Sequence, residues 1–333
     1  MKNLAVVIPY FQRDPGLLRR AVESILSQDV GPDVTVEVLI ADDESPTPPE
    51  QEIEGLSRPG FEVRILKRPN GGPAKARNTA LEAAQDPDYV AFLDSDDWWE
   101  PDHLSTALGA LQRGAGFYFA NNHSEPGKTW FQSIRNGKEL IAKATPDGKG
   151  CHTMANDVFL SLFLADCVAH TSSVVFDARQ APGMRFDDAQ SHGGEDYLFW
   201  LDVVRLTRNS AFSATPKAHR GRGIDLCRSA YDWSNPFCAR RLYLDLVFRK
   251  KLIREYCQTE SQRQQMAELA GEIRRELLQV LARNTFAHFQ TSAPIWWKLI
   301  LNDPVFFAYL PHNAIGVVAR KLAGPRKASL QTD

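Results

Sequence analysis

The chain has 333 residues, is 43% hydrophobic and carries a formal net charge of −2, which is enough apolar material for one large or two ordinary domains with a proper core. That charge balance argues against broad nucleic-acid affinity, although basic residues gather locally towards the C-terminus. Five cysteines (Cys151, Cys167, Cys227, Cys238 and Cys257), an odd number with no two-residue-spaced pair, suggest neither a zinc knuckle nor a disulfide framework and fit a reducing compartment.

Leu4-Ala5-Val6-Val7-Ile8 reads as a buried parallel strand that ends at Pro9-Tyr10-Phe11, where proline removes a ladder donor. The run is too short for a secretory core and is broken by Pro9, so a first strand in a cytoplasmic protein is expected. Asp14-Pro15 supplies an N-cap and a first-turn proline for a helix with Leu17, Leu18, Ala21, Val22, Ile25 and Leu26 on one face. Residues 34–41 form a second strand that closes on Asp42-Asp43-Glu44-Ser45, followed by a proline-rich loop. A third strand, residues 61–66, leads through Arg68-Pro69-Asn70-Gly71-Gly72-Pro73 into a helix over residues 74–84. Tyr89-Val90-Ala91-Phe92-Leu93 is the fourth strand, and it stops on Asp94, Asp96 and Asp97. This alternation is the rhythm of a doubly wound α/β domain with right-handed crossovers.

In open α/β sheets ligands sit at the carboxyl ends of the strands. On an extended chain Asp94 and Asp96 face one point while Ser95 faces away. Two like charges held that close favour a divalent cation with oxygen ligands. The alternative is an acidic helix start, with Trp98-Trp99-Glu100-Pro101 opening the next helix and Pro101 in its first turn.

A helix over residues 102–112 and a strand over residues 116–120 come next, and loops are expected through residues 121–155. Residues 171–176 resume as a strand. His192-Gly193-Gly194-Glu195-Asp196 is a flexible acidic turn opening a helix that begins Tyr197-Leu198-Phe199-Trp200-Leu201. Residues 239–289 read as helical, first basic, then mixed in charge. The aromatic tail over residues 295–322 is too short in its uncharged span, and too broken by Pro304 and Pro311, to cross a membrane. It suits either a membrane interface or a helical pair covering the core or a dimer partner.

Together, Val7-Ile8-Pro9-Tyr10-Phe11, Asp42-Asp43-Glu44-Ser45, Asn70-Gly71-Gly72-Pro73-Ala74-Lys75-Ala76-Arg77-Asn78, Asp94-Ser95-Asp96-Asp97 and Gly194-Glu195-Asp196 resemble the motif series of the family-two, inverting, A-fold glycosyltransferases. The resemblance implies a single Rossmann-like nucleotide-diphospho-sugar transferase domain over residues 1–230 with a mostly parallel central sheet. Its nucleotide-sugar half would span about residues 1–120 and its acceptor half about residues 121–230, before a C-terminal helical extension over residues 231–333.

The same resemblance implies roles. Pro9, Tyr10, Asp42 and Asp43 would hold the nucleobase and ribose, through backbone groups, a ring, and a carboxylate that accepts from a uracil-type N–H. Lys75 and Arg77 would lie beneath the diphosphate, where a guanidinium gives two parallel hydrogen bonds. Asp94 would lie nearer the ribose, and with Asp96 it would hold a divalent cation, Mn²⁺ or Mg²⁺, that draws charge off the leaving nucleoside diphosphate. Asp196 would be the base that takes the acceptor hydroxyl's proton, with Glu195 orienting the loop or touching the acceptor. Arg220 and Arg222 are further phosphate candidates. His219 is placed either on the metal or diphosphate or at the surface, and His123, His152, His170 and His192 show no metal-ligand spacing.

The expected activity is transfer of a hexose or N-acetylhexosamine from a nucleotide sugar to a glycan or lipid-linked acceptor in cell-surface polysaccharide synthesis, in the cytoplasm or peripherally at its membrane face. No nucleic-acid partner is expected, and the C-terminal helices could meet the membrane or a second copy. A nucleotidyltransferase of similar architecture would want a glycine-rich, Lys/Arg-bearing loop after the first strand, where Pro9-Tyr10-Phe11-Gln12-Arg13 stands instead. A non-catalytic sugar-nucleotide-binding partner subunit would have no need of Asp94, Asp96 and Asp196 together.

Overall fold

The computed structural model describes residues 1–188, 194–221, 235–285 and 288–309. The chain divides into two compact units, Met1–Ile224 and Asp225–Asp333.

In the first unit the strands are β1 (Lys2–Tyr10), β2 (Val34–Asp42), β3 (Phe61–Lys67), β4 (Tyr89–Phe92), β5 (Trp98–Trp99), β6 (Phe117–Glu125), β7 (Lys128–Thr129), β8 (Thr145–Pro146), β9 (His152–Ala155), β10 (Val175–Asp177) and β11 (Asn209–His219). They join in one sheet in the order β3-β2-β1-β4-β10-β6-β11-β9-β8, with β5 on β11 and β7 on β6. The half built from β3, β2, β1 and β4 is parallel. The short strand β10 reverses direction between β4 and β6, so the sheet as a whole is mixed.

The apolar stretches over residues 4–10 of β1 and Tyr89–Phe92 of β4 are continuous because helices cover both faces, and β2 alternates through Thr35 and Glu37 before turning apolar; Val6, Ile8, Val38, Ile40, Ala91 and Phe92 are fully buried. Strand β1 runs through Pro9 to Tyr10 rather than stopping at the proline. Tyr10 O accepts from Asp43 N at 2.9 Å, so Tyr10 bonds towards β2 and Pro9, one residue earlier, faces the β4 side. There the ladder has already ended at Val7, and no donor is missed.

Three local expectations change. The helix Leu17–Leu26 is capped by Gly16, not Asp14. Its amides are held instead by Glu52, whose Oε2 accepts from Gly16 N at 2.7 Å and Arg19 N at 3.3 Å, and Glu52 sits in a short helix, Pro49–Ile53, inside the proline-rich loop. Trp98-Trp99 is a strand pairing with β11, and the next helix begins only at His103. Residues 121–155 are not loops throughout: β6 extends to Glu125, β7 returns on it, and helices Trp130–Ser133 and Gly137–Lys143 precede β8 and β9.

The second unit packs helices Pro236–Glu255, Glu260–Asn284 and Phe289–Asn302 around Leu242, Leu246, Leu277, Leu281, Leu299 and Phe306. Thr259 and Gln262 form a capping box at the start of the second of these. Among the described residues no helix is long and apolar enough to cross a membrane.

Candidate functional site

The parallel strands deliver Tyr10, Asp42 and Lys67 to one edge of the sheet in register, and Leu93 N continues the ladder on Val7 O at 3.1 Å. Acids therefore gather at the carboxyl ends of β2 and β4. A cavity of about 320 Å³ lined by Asn3, Thr35, Phe61 and Pro87 lies at the opposite, amino ends of β1–β3, away from those acids.

At the end of β2, Asp43 is buried and fully engaged. Its carboxylate accepts from Gly71 N at 3.0 Å and Gly72 N at 2.8 Å and pairs with Arg68, which fixes the glycine turn ahead of the helix Pro73–Ala83. Asp42 spends one oxygen on Ser45 N at 2.9 Å. The Tyr10 ring is only 1% exposed and packs in the core, and burial pushes its phenol up to about 12. The expectation has the ring meeting a base; here it lies on the face it shares with its register partner Asp42 but is covered, so the part of Tyr10 left to face a ligand is its backbone.

After β4 the backbone turns, with Asp97 N donating to Asp94 O at 3.0 Å, rather than staying extended. Burial still alternates. Asp94, Asp96, Trp98 and Glu100 are partly exposed, whereas Ser95, Asp97 and Trp99 are buried. Gln12 Nε2 donates to Ser95 Oγ at 3.0 Å, and Arg20 lies 3.8 Å over the Trp98 ring while donating to Asp96 O at 2.8 Å. The buried Asp97 accepts from Ser172 Oγ and from Gly221 N at 2.7 Å. Burial first, then the charges of Asp96 and Asp94, push its carboxyl up to about 8. The partly exposed carboxylates of Asp94 and Asp96 beside it are oxygen donors of the kind a hard divalent cation takes.

The helix Glu195–Leu206 brings in the remaining acids. Phe199 and Trp200 pack edge-on against Phe92 of β4, with ring centroids 5.7 and 5.0 Å away. Each such ring contributes about 1.5–3 kcal/mol by leaving water and about 0.5–1.5 kcal/mol by its geometry. Docked this way, the N-terminal end of the helix arrives beside Asp94, two residues past Phe92. Gly194 at φ 83 makes the turn into it, a left-handed backbone that favours glycine. The guanidinium of Arg77 donates to Asp94 Oδ1 at 2.8 Å and contacts Glu195 Oε1 at 3.4 Å. Burial, then Asp196, raises the Glu195 carboxyl. Asp196 accepts from Thr171 Oγ1 at 3.0 Å and from Tyr197 N at 2.8 Å.

Arg77 is thus buried and tied to carboxylates rather than extended into an open phosphate site. Lys75 is exposed on the first turn of its helix, and Arg220 is exposed with its backbone N on His123 O at 3.0 Å. Arg222 and His192 lie outside the described residues. His219 stacks between Trp98 and His123 rather than joining the cluster of aspartates.

Four residues in this neighbourhood had no sequence signal: Gln12, Ser172, Gly221 and His170. The His170 Nδ1 is buried 3.9 Å from Asp97, and burial pushes the imidazole below its usual range. Gly221 could be suspected only from its backbone fit, since a Cβ there would stand 1.9 Å from Asp96 O.

Residues 5–163 match the family described as Glycosyl transferase family 2. Over 243 residues the chain is 33% identical to the succinoglycan biosynthesis protein ExoW of Rhizobium meliloti (strain 1021), covering 69% of this chain and 72% of that protein. The fold is similar to that of S. aureus TarS 1-349 in complex with UDP-GlcNAc, with TM-score 0.51 and 18% identity over 86% of this chain and 73% of the other. It is also similar to the mannosyltransferase PcManGT from Pyrobaculum calidifontis in complex with GDP-Man and Mn²⁺, with TM-score 0.52 and 17% identity over 96% and 81%.

Proposed function

The chain belongs to glycosyl transferase family 2, and from that premise we propose that it moves a hexosyl or N-acetylhexosaminyl group, with inversion and with a divalent cation, from a nucleoside diphosphate sugar to a hydroxyl of a glycan or lipid-linked acceptor. The observation that supports the reading is the single Arg77 guanidinium bonded to Asp94 and reaching Glu195, which links the acids after β4 to those at the start of the Glu195–Leu206 helix.

On this reading Asp42 accepts the base N–H with its second oxygen, because Asp43 is already spent on the glycine turn. Pro9 and Tyr10 border the base through their backbone. Asp94 and Asp96 hold the cation, Mn²⁺ or Mg²⁺, which when bound draws charge off the leaving diphosphate. Lys75 and Arg220 serve the phosphates, with Arg222 a further phosphate candidate from the sequence, and Arg77 fixes Asp94 and Glu195. Asp196, oriented by Thr171, takes the acceptor proton late, as the C–O bond forms from the face opposite the diphosphate. Residues up to about 120 serve the donor, and those from about 121 to 230 the acceptor.

The ExoW relative is named for succinoglycan biosynthesis, which supports a role in polysaccharide synthesis, read here as synthesis of a cell-surface glycan. Exposed Phe289, Trp297, Ile300, Leu301 and Val305 in the second unit support peripheral contact with a membrane carrying that acceptor, at its cytoplasmic face.

Asp196→Asn tests the assignment. Donor binding should be kept within about threefold, while transfer should fall by about 10²–10⁴, the usual worth of a positioned base. Transfer at the wild-type rate would remove Asp196 from the role.

A further inference from the structure

Beside the aspartate cluster, three strands place a second set of ligands on one rung. Strand β11 pairs antiparallel with β5 at His219↔Trp98 and parallel with β6 at His219↔His123. Neighbours on a rung share a face of the sheet, and the rings stack: Trp98 and His219 at 4.8 Å and 4°, His219 and His123 at 4.5 Å and 21°. Glu100, two residues beyond Trp98, returns to the same face, with its Oε1 2.5 Å from His219 Nε2. One ligand atom each from Glu100, His123 and His219 lies within 4.8 Å of the other two.

We propose that Glu100, His123 and His219 form a second divalent-cation site, selective for a borderline transition ion of the Zn²⁺ or Ni²⁺ kind. Two imidazoles and one carboxylate are the donor set such ions prefer, whereas Mg²⁺ and Mn²⁺ favour all-oxygen sites such as the aspartate cluster. Bonds of about 2.0–2.1 Å set tetrahedral ligands about 3.3–3.4 Å apart. The 2.5 Å contact of Glu100 Oε1 with His219 Nε2 therefore has to open by somewhat under an ångström to admit an ion, while the wider separations, at most 4.8 Å, close by about 1.5 Å at most. Side-chain rotation supplies that, since His123 is exposed. The backbone beneath is already fixed, by Arg220 N on His123 O at 3.0 Å and Glu100 N on Lys217 O at 2.9 Å. Three protein ligands leave a coordination position open to solvent. A bound ion would pin the Trp98–Glu100 segment to the end of β11, from which Gly221 packs on Asp96. The site stands independently of the donor cleft and of the reading given to it.

The test uses the full chain, stripped by a chelator, without nucleotide. Titration with ZnCl₂ should give one ion per chain bound at least about tenfold more tightly than Mn²⁺, and Co²⁺ in its place should give the visible bands of a low-coordinate ion. His123→Ala, on an exposed side chain, and Glu100→Gln should each weaken zinc binding by about 10–100-fold with unchanged melting of the metal-free protein, while Asp96→Asn leaves it intact. Zinc affinity unchanged in both variants, no zinc bound by the wild type, or zinc lost in Asp96→Asn would each overturn the site.

Discussion

At the scale of single residues, the cleft depends on how close two backbones come. A Cβ at Gly221 would stand 1.9 Å from the carbonyl oxygen of Asp96, a backbone atom that cannot swing aside. Gly109, within the helix His103–Gln112, would meet only the mobile end of Arg113 at 3.1 Å. The two therefore answer the same substitution in opposite directions. Gly221→Ala should cost about 1–3 kcal/mol and weaken metal-dependent nucleotide binding, whereas Gly109→Ala should gain about 0.4–1 kcal/mol from the stiffer unfolded chain. Parallel thermal melts and nucleotide titrations check this, and equal shifts in the two variants would contradict it. Asp94, Asp96 and Asp196 stood out in the sequence because acids that end a strand or open a glycine turn are local patterns. Ser172, His170 and Gly221 did not, because each reaches the aspartates from a segment more than seventy residues away and carries no motif of its own.

At the scale of elements, β1 and β4 were legible because a strand buried on both faces is written as an apolar run, β2 because it alternates and then turns apolar, and β3, at the edge of the sheet, because Phe61, Val63 and Ile65 alternate with polar neighbours. The pair Trp98-Trp99 was not, since its strand identity comes from β11, far along the chain, while Glu100-Pro101 locally imitates a helix start. The cap of the first helix is hidden from local sequence for the same reason: Glu52 supplies it from a neighbouring element. In the second unit, Arg274 ties the second helix to the end of the third through two bonds to Asp303, at 2.7 and 2.9 Å. Burial alone would raise the Asp303 carboxyl, but Arg274 and Lys250 hold it below the usual range. The folded state thus keeps Asp303 ionised at pH values where the unfolded chain has taken up a proton. This stability is present above about pH 4, the ordinary aspartate value, and is lost as pH falls through the depressed native value. Arg274→Met should melt below the wild type at pH 7, with the gap narrowing towards pH 3; a gap that ignores pH would contradict the pairing.

At the scale of the whole molecule, the sheet does two jobs. Its parallel half brings the ends of β1, β2 and β4 to one edge, and the reversed strand β10 carries Thr171 and Ser172, just ahead of it, to the same edge. The sequence showed the parallel half through its rhythm. It could not show the mixed half, where order depends on pairings between strands far apart in the chain and some only two residues long. The central claim is that carboxylates scattered between residues 42 and 196 surround one seat for a nucleoside diphosphate and its cation. Melting of the full chain with UDP, GDP and a panel of nucleotide sugars, in Mn²⁺ and in chelator, for the wild type and Asp96→Asn, tests it most directly. At a ligand concentration about a hundred times Kd, at least one nucleotide should stabilise the wild type in Mn²⁺ by about 2.7 kcal/mol, with the gain lost in chelator and in Asp96→Asn. No shift with any nucleotide, or a shift indifferent to both the ion and Asp96, would contradict the account.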